Sequence, residues 1–158
     1  MLDTAITEQL RGHLEKVLHP IELVASLDDS PKSAELWTLL EEIAALSSSV
    51  TAVRAADPDG RTPSFRIQRT GTEVGVTFAG IPMGHEFTSL VLALLHVGGH
   101  APNIPEATRA RIESLALPPE GLRFETYFSL TCQNCPDVVQ GLNILSVLRP
   151  EAVQHVAI

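Results

Sequence analysis

Apolar residues recur near every fourth position through Leu2, Ile6, Leu10, Leu14, Val17 and Leu18, marking one face of an amphipathic helix. Asp3 is placed to cap this helix and His19-Pro20 to stop it. The apolar run Ile21-Glu22-Leu23-Val24-Ala25-Ser26-Leu27 then predicts a buried strand. Asp28-Asp29-Ser30-Pro31 is a turn, with Ser30 as N-cap and Pro31 at the first helical position. Leu36, Leu39, Leu40, Ile43 and Leu46 give the buried face of the helix that follows. Val50-Thr51-Ala52-Val53 is β-branched and strand-like, and Asp57-Pro58-Asp59-Gly60 is a turn signal. Strands over 64–69 and 74–78, joined through Thr70-Gly71, predict an antiparallel hairpin. Gly80 and Gly84 lead into a helix from about His85 to Val97.

Beyond Gly98-Gly99-His100-Ala101-Pro102, residues 104–115 predict a short linking helix, ended by Pro118-Pro119. The opening pattern then returns. Residues 122–130 form a strand carrying Phe124 and Phe128, 131–136 a turn, and 153–158 a second strand. Between them Val138, Val139, Leu142, Leu145 and Leu148 mark a helical face. Residues 21–97 thus read strand, helix, strand, strand, strand, helix, the order of a thioredoxin-like fold with one mixed α/β sheet. The repeat comes about 100 residues later and holds only the first, βαβ half. The expected architecture is therefore a pair of tandem thioredoxin-like folds, the second truncated. Residues 1–100 form a first unit with its N-terminal helix, 101–120 a linker, and 121–158 the start of a second unit. In this fold the strand over 122–130 is central, so without a third strand its apolar edge stays unpaired, which favours aggregation. The functional protein is therefore expected to be longer.

Composition narrows the function classes. Of 158 residues 44% are hydrophobic and 19% charged, a globular balance, and the formal net charge is -8. With no run of Lys or Arg, the composition argues against nucleic acid as a partner, and against an anionic membrane surface. No apolar stretch reaches the roughly 18 residues that span a bilayer. Met1-Leu2-Asp3-Thr4-Ala5 does not read as a secretory start, so a cytoplasmic setting is expected. There, two cysteines are a redox or metal site rather than a staple.

These are Cys132 and Cys135, in Cys132-Gln133-Asn134-Cys135-Pro136 between an apolar strand and an amphipathic helix. Thiol–disulfide exchange needs one thiolate to attack and a second thiol to resolve the mixed disulfide. Two-residue spacing at a helix start provides both, and the helix N-terminus favours the Cys132 thiolate. Zinc would need two further ligands. His96 and His100 are separated by Gly98-Gly99, and His13, His19, His85 and His155 are scattered, so the redox reading is favoured over zinc or two incidental buried thiols. In the first unit Leu27-Asp28-Asp29-Ser30 stands where the second has Cys132-Gln133-Asn134-Cys135, so the first turn carries no thiols.

Pro63 precedes the strand over 64–69. It reads either as a strand-initiating residue or, in this fold, as the cis-proline beside the βα turn. Glu86, at a helix start, complements the helix dipole or serves the thiols with protons. His85 reads as surface and Trp37 as packing.

The tract Gly84-His85-Glu86-Phe87-Thr88-Ser89-Leu90-Val91-Leu92-Ala93-Leu94-Leu95 resembles the N-terminal domain of the alkyl hydroperoxide reductase flavoproteins. Ser26-Leu27-Asp28-Asp29-Ser30, Glu125-Thr126-Tyr127 and the tract from Cys132 to Val139 extend the resemblance over the whole chain. It implies two fused thioredoxin-like units, the first silent and the second carrying the working cysteine pair. It further implies electrons received from a C-terminal flavin reductase module with FAD and NADH, and passed to a peroxiredoxin. Cys132 would be the nucleophile, Cys135 the resolving thiol, and Glu86 a carboxylate lent by the silent unit. A homodimer of the full-length protein is left open. No Gly-x-Gly-x-x-Gly fingerprint occurs here, so FAD and NADH belong outside this chain. A stand-alone glutaredoxin-like protein disulfide oxidoreductase is the competing reading, followed by a zinc or interaction module.

Overall fold

A computed structural model describes residues 1–57 and 60–158. The expected turn at Asp57-Pro58-Asp59-Gly60 includes two residues outside that range. Strand β1 (Ile21–Ser26) pairs parallel with β2 (Val50–Arg54) and antiparallel with β3 (Ser64–Arg69), which pairs antiparallel with β4 (Gly75–Phe78). β1 is central because both its faces are apolar: Ile21, Leu23 and Ala25 are buried on one, and Val24 lies on the other. The second set, β5 (Leu122–Thr126) and β6 (Val153–Ala157), is parallel.

The two sets fuse. β6 pairs parallel with β4 through Thr77↔Val156 and Phe78↔Ala157, giving one six-stranded sheet in the order β2-β1-β3-β4-β6-β5. Strand β5 is the outer strand and pairs with β6. It is shorter than the apolar stretch 122–130, and beyond it Phe128 N–H bonds the carbonyl of Ile158.

Helix α1 (Thr4–Leu14) is capped by Asp3, whose side chain accepts from Ile6 N–H. It stops before Val17 and Leu18 because the amides of Leu18 and His19 turn to the carbonyl of Gly98. Helix α2 (Pro31–Ala44) starts at Ser30, which accepts from Ser33 N–H, and buries Leu36, Leu39, Leu40 and Ile43 completely. Residues 70–74 make a longer hairpin connection than Thr70-Gly71 alone, and Val74 lies in it rather than in β4. A 3₁₀ turn (Gly84–Glu86) precedes α3 (Phe87–Val97), which packs against α1 and against α5 (Cys135–Leu148). The linking helix α4 (Glu106–Glu113) is shorter than the range 104–115 expected from the sequence.

Helix α5 departs from the apolar face read in the sequence. Its buried residues are Val139, Asn143 and Ser146, whereas Val138 is half exposed. The stripe facing β6 is polar: Ser146 Oγ donates to the carbonyl of Val153, and Asn143 Oδ1 lies 2.7 Å from His155 Nδ1. His155 Nε2 is 2.8 Å from Thr126 Oγ1 on β5. Both ring nitrogens of this buried histidine are thus engaged. A neutral ring satisfies both, with Nδ1–H donating to Asn143 and Nε2 accepting from Thr126. Burial holds the ring at about 4, well below an ordinary histidine.

Candidate redox site

Cys132 and Cys135 form a disulfide with Cα atoms 5.6 Å apart. Cys132 lies in a tight turn, its amide bonding the carbonyl of Ser129 at 2.9 Å. Cys135 opens α5, with Pro136 in the first turn, where a missing N–H costs no helical bond. Both cysteines are only half buried, so a disulfide-bearing partner can reach them. Free amides of the helix terminus face this end, and they favour negative charge on a sulfur. Asp137 occupies the same first turn and shares that positive potential.

Glu86 lies at the end of the 3₁₀ turn and is fully buried, and neither carboxylate oxygen has a hydrogen-bond partner. The turn touches the cysteine loop directly: His85 N–H bonds the carbonyl of Leu130, two residues before Cys132, at 3.3 Å. Gly84 makes this approach feasible. Its φ is +58°, and a Cβ there would stand 2.9 Å from the Leu130 oxygen. The structure thus brings the Glu86 turn and the cysteine loop together. Burying a carboxylate without a partner opposes folding. Glu86→Leu is therefore expected to raise unfolding stability by about 1–3 kcal/mol, measured by urea titration. A loss of stability would show that the carboxylate serves packing instead.

Pro63 follows a cis peptide bond with Thr62. With Lys32, Ile81, Phe128, Leu130 and Ile158 it lines a mostly apolar hollow of about 310 Å³ beside the segment leading to Cys132. At the thiol-free turn Asp28 occupies the opening. Ser30 and Ser33 donate to its carboxylate and hold it at about 2, below the usual carboxylate range. His85 is exposed, and Trp37 packs on the core beneath the Arg54 guanidinium, 4.3 Å from its ring centroid. His96 is buried while His100 is exposed, and among the described residues no His, Cys, Asp or Glu cluster could hold a metal. Among the described residues no helix is long and apolar enough to cross a membrane.

No family model matches the chain. Among curated proteins it is 56% identical to AhpF, the F component of alkyl hydroperoxide reductase, from Pseudomonas putida and 51% identical to AhpF from Escherichia coli K12. Each match covers all of this chain and 29% or 30% of the relative. Among solved structures, the N-terminal domain of Enterococcus faecalis AhpF superimposes with TM-score 0.85 at 27% identity. That match covers all of this chain and 80% of that domain. The chain belongs to the AhpF N-terminal domain family. A protein disulfide oxidoreductase from Aeropyrum pernix, TM-score 0.76 at 19% identity over 99% of this chain and 75% of that one, shares the thioredoxin-like fold. The chain spans under a third of the length of these AhpF relatives, which are three times its size or more.

Two long-range polar pairs made by α5 were not legible in the sequence. Gln140 Nε2 on α5 donates to the buried Ser89 Oγ on α3 at 3.1 Å. Asn143 and His155 are the second pair. Their signal was a polar residue in a buried phase: Asn143 four residues after Val139, and His155 alternating with Val153 and Ala157.

Proposed function

We propose that this chain is a thiol–disulfide electron relay, passing reducing equivalents from a flavin- and NADH-dependent reductase module to a peroxiredoxin. The observation that carries the reading is the Cys132–Cys135 disulfide, half exposed at the N-terminus of α5 in a chain of the AhpF family. In the oxidised form the pair takes two electrons and two protons from a reductase dithiol. In the reduced form the Cys132 thiolate attacks the partner's disulfide, breaking its S–S bond, forming a mixed disulfide and releasing one partner thiolate, which takes up a proton. Cys135, as thiolate, then attacks the Cys132 sulfur. The internal disulfide re-forms and the second partner thiol leaves with a proton. Residues 1–100 act as the silent unit and 121–158 as the start of the working one, with 101–120 between. Glu86 holds or returns the proton that Cys135 loses.

FAD and NADH supply hydride transfer in the module outside this chain. The residues here do not fit a dinucleotide: there is no glycine fingerprint, and the hollow beside Pro63 is apolar. A cytoplasmic setting goes with two cysteines engaged in redox exchange. The test uses the full-length protein with Cys132→Ser and Cys135→Ser combined. NADH should still reduce the flavin, while peroxide-dependent NADH oxidation through the peroxiredoxin falls to background. Retained turnover would place the relay elsewhere.

A further inference from the structure

Two hydrogen bonds join the first unit's Gly84–Ser89 segment to the second unit, and they fall on either side of the cysteine pair in sequence. His85 N–H bonds the carbonyl of Leu130, two residues before Cys132, and Ser89 Oγ accepts from Gln140 Nε2, five residues after Cys135. Glu86 sits between these anchors, fully buried, and neither oxygen of its side chain has a hydrogen-bond partner. A side chain without bonds takes its place from the backbone that carries it. That backbone is fixed at one end by a turn that only glycine fits comfortably, and at the other by a side-chain pair. Ser89 lies three residues beyond Glu86, on the same side of the helix start, and is itself completely buried.

We infer that Gln140 and Ser89 are positioning residues. Their bond clamps α3 to α5 and thereby sets the Glu86 carboxylate against the Cys132–Cys135 pair. The inference rests on the proton-handling role proposed for Glu86 and adds what holds that group in register. A misplacement of about 1 Å in a reacting group can cost a hundredfold in rate, so a single bond between two packed helices is enough to matter. The backbone anchor at Leu130 remains when Gln140 is replaced, so the effect is a partial displacement rather than loss of the carboxylate.

The experiment measures alkylation of Cys132 against pH in the reduced full-length protein, with the labelled peptide quantified by mass spectrometry. Glu86→Gln, Gln140→Ala, Ser89→Ala and the Gln140→Ala/Glu86→Gln pair are compared with the parent. Gln140→Ala and Ser89→Ala should each shift the profile in the direction that Glu86→Gln does, changing the rate at pH 7 by about threefold, or half a pH unit. In the Glu86→Gln background Gln140→Ala should then do nothing more to the profile, because no carboxylate is left to position. A simple packing role predicts something different: lower stability with an unmoved profile. If Glu86→Gln shifts the profile and Gln140→Ala does not, the positioning role falls alone. If Glu86→Gln itself leaves the profile unchanged, the proton-handling role of Glu86 falls and takes this inference with it. An equal Gln140→Ala effect with and without Glu86 also overturns it.

Discussion

Cys132→Ser is expected to lower the rate of partner-disulfide reduction on the order of 10⁴-fold, with no mixed disulfide formed. A serine hydroxyl at this position is not ionised near neutral pH and is a far weaker nucleophile toward sulfur than a thiolate. Cys135→Ser gives the opposite signature. The first attack proceeds, nothing resolves the product, and a covalent adduct with the peroxiredoxin accumulates. The proposed assignment goes with position: Cys132 lies in the turn that leads into the helix, and Cys135 is the first residue of α5. Non-reducing electrophoresis of the two variants, mixed with an oxidised peroxiredoxin, reads the outcome. An adduct with Cys132→Ser and none with Cys135→Ser would exchange the two roles.

Acid should loosen the β5–β6 end of the sheet, and His155 is the reason. In the unfolded chain it titrates near 6.5, whereas burial between α5, β5 and β6 holds it at about 4 in the folded state. Between those values the unfolded form binds more protons, so stability rises with pH. The contribution is complete above about 6.5 and is lost as pH falls toward 4. The gap corresponds to something on the order of 3 kcal/mol. Protonation would also turn Nε2 into a donor and break its acceptance from Thr126. His96 is also held at about 4, by burial and then by repulsion from His100, and adds a similar slope. Hydrogen exchange at the β6 amides should therefore lose protection from pH 6.5 to pH 4, and His155→Phe should remove about half of that slope. An identical slope in the variant would mean that the buried ring contributes nothing to acid lability.

Much of the fold was legible in local chemistry. The periodic leucines of α2, with Ser30 and Pro31 before them, define a helix start in the sequence because capping and burial are local. The same holds for β1, whose unbroken apolar run suits a strand covered on both faces. The join between the halves was not legible. Strand β6 reads equally well beside β5 alone, and only the assembled structure reveals its second partner, β4. Helix α5 illustrates a different gap. Its leucines form the obvious stripe, yet the residues it buries most fully include Asn143 and Ser146, because β6 offers His155 and a carbonyl in return. Such pairings depend on two polar residues meeting across elements, and neither advertises its partner in sequence. At the candidate site, the pairing of Cys132 with Cys135 was legible from their two-residue spacing before a helix. The bonds from His85 to Leu130 and from Gln140 to Ser89 are long-range and were not.

Electron accounting tests the relay most directly. The full-length protein is reduced, freed of reductant and mixed anaerobically with an oxidised peroxiredoxin. After rapid acid quenching, the disulfides in both proteins are counted by mass spectrometry. A relay predicts that one Cys132–Cys135 disulfide appears for each peroxiredoxin disulfide lost, through a transient species linked at Cys132. Loss of the peroxiredoxin disulfide while Cys132 and Cys135 stay reduced would contradict it.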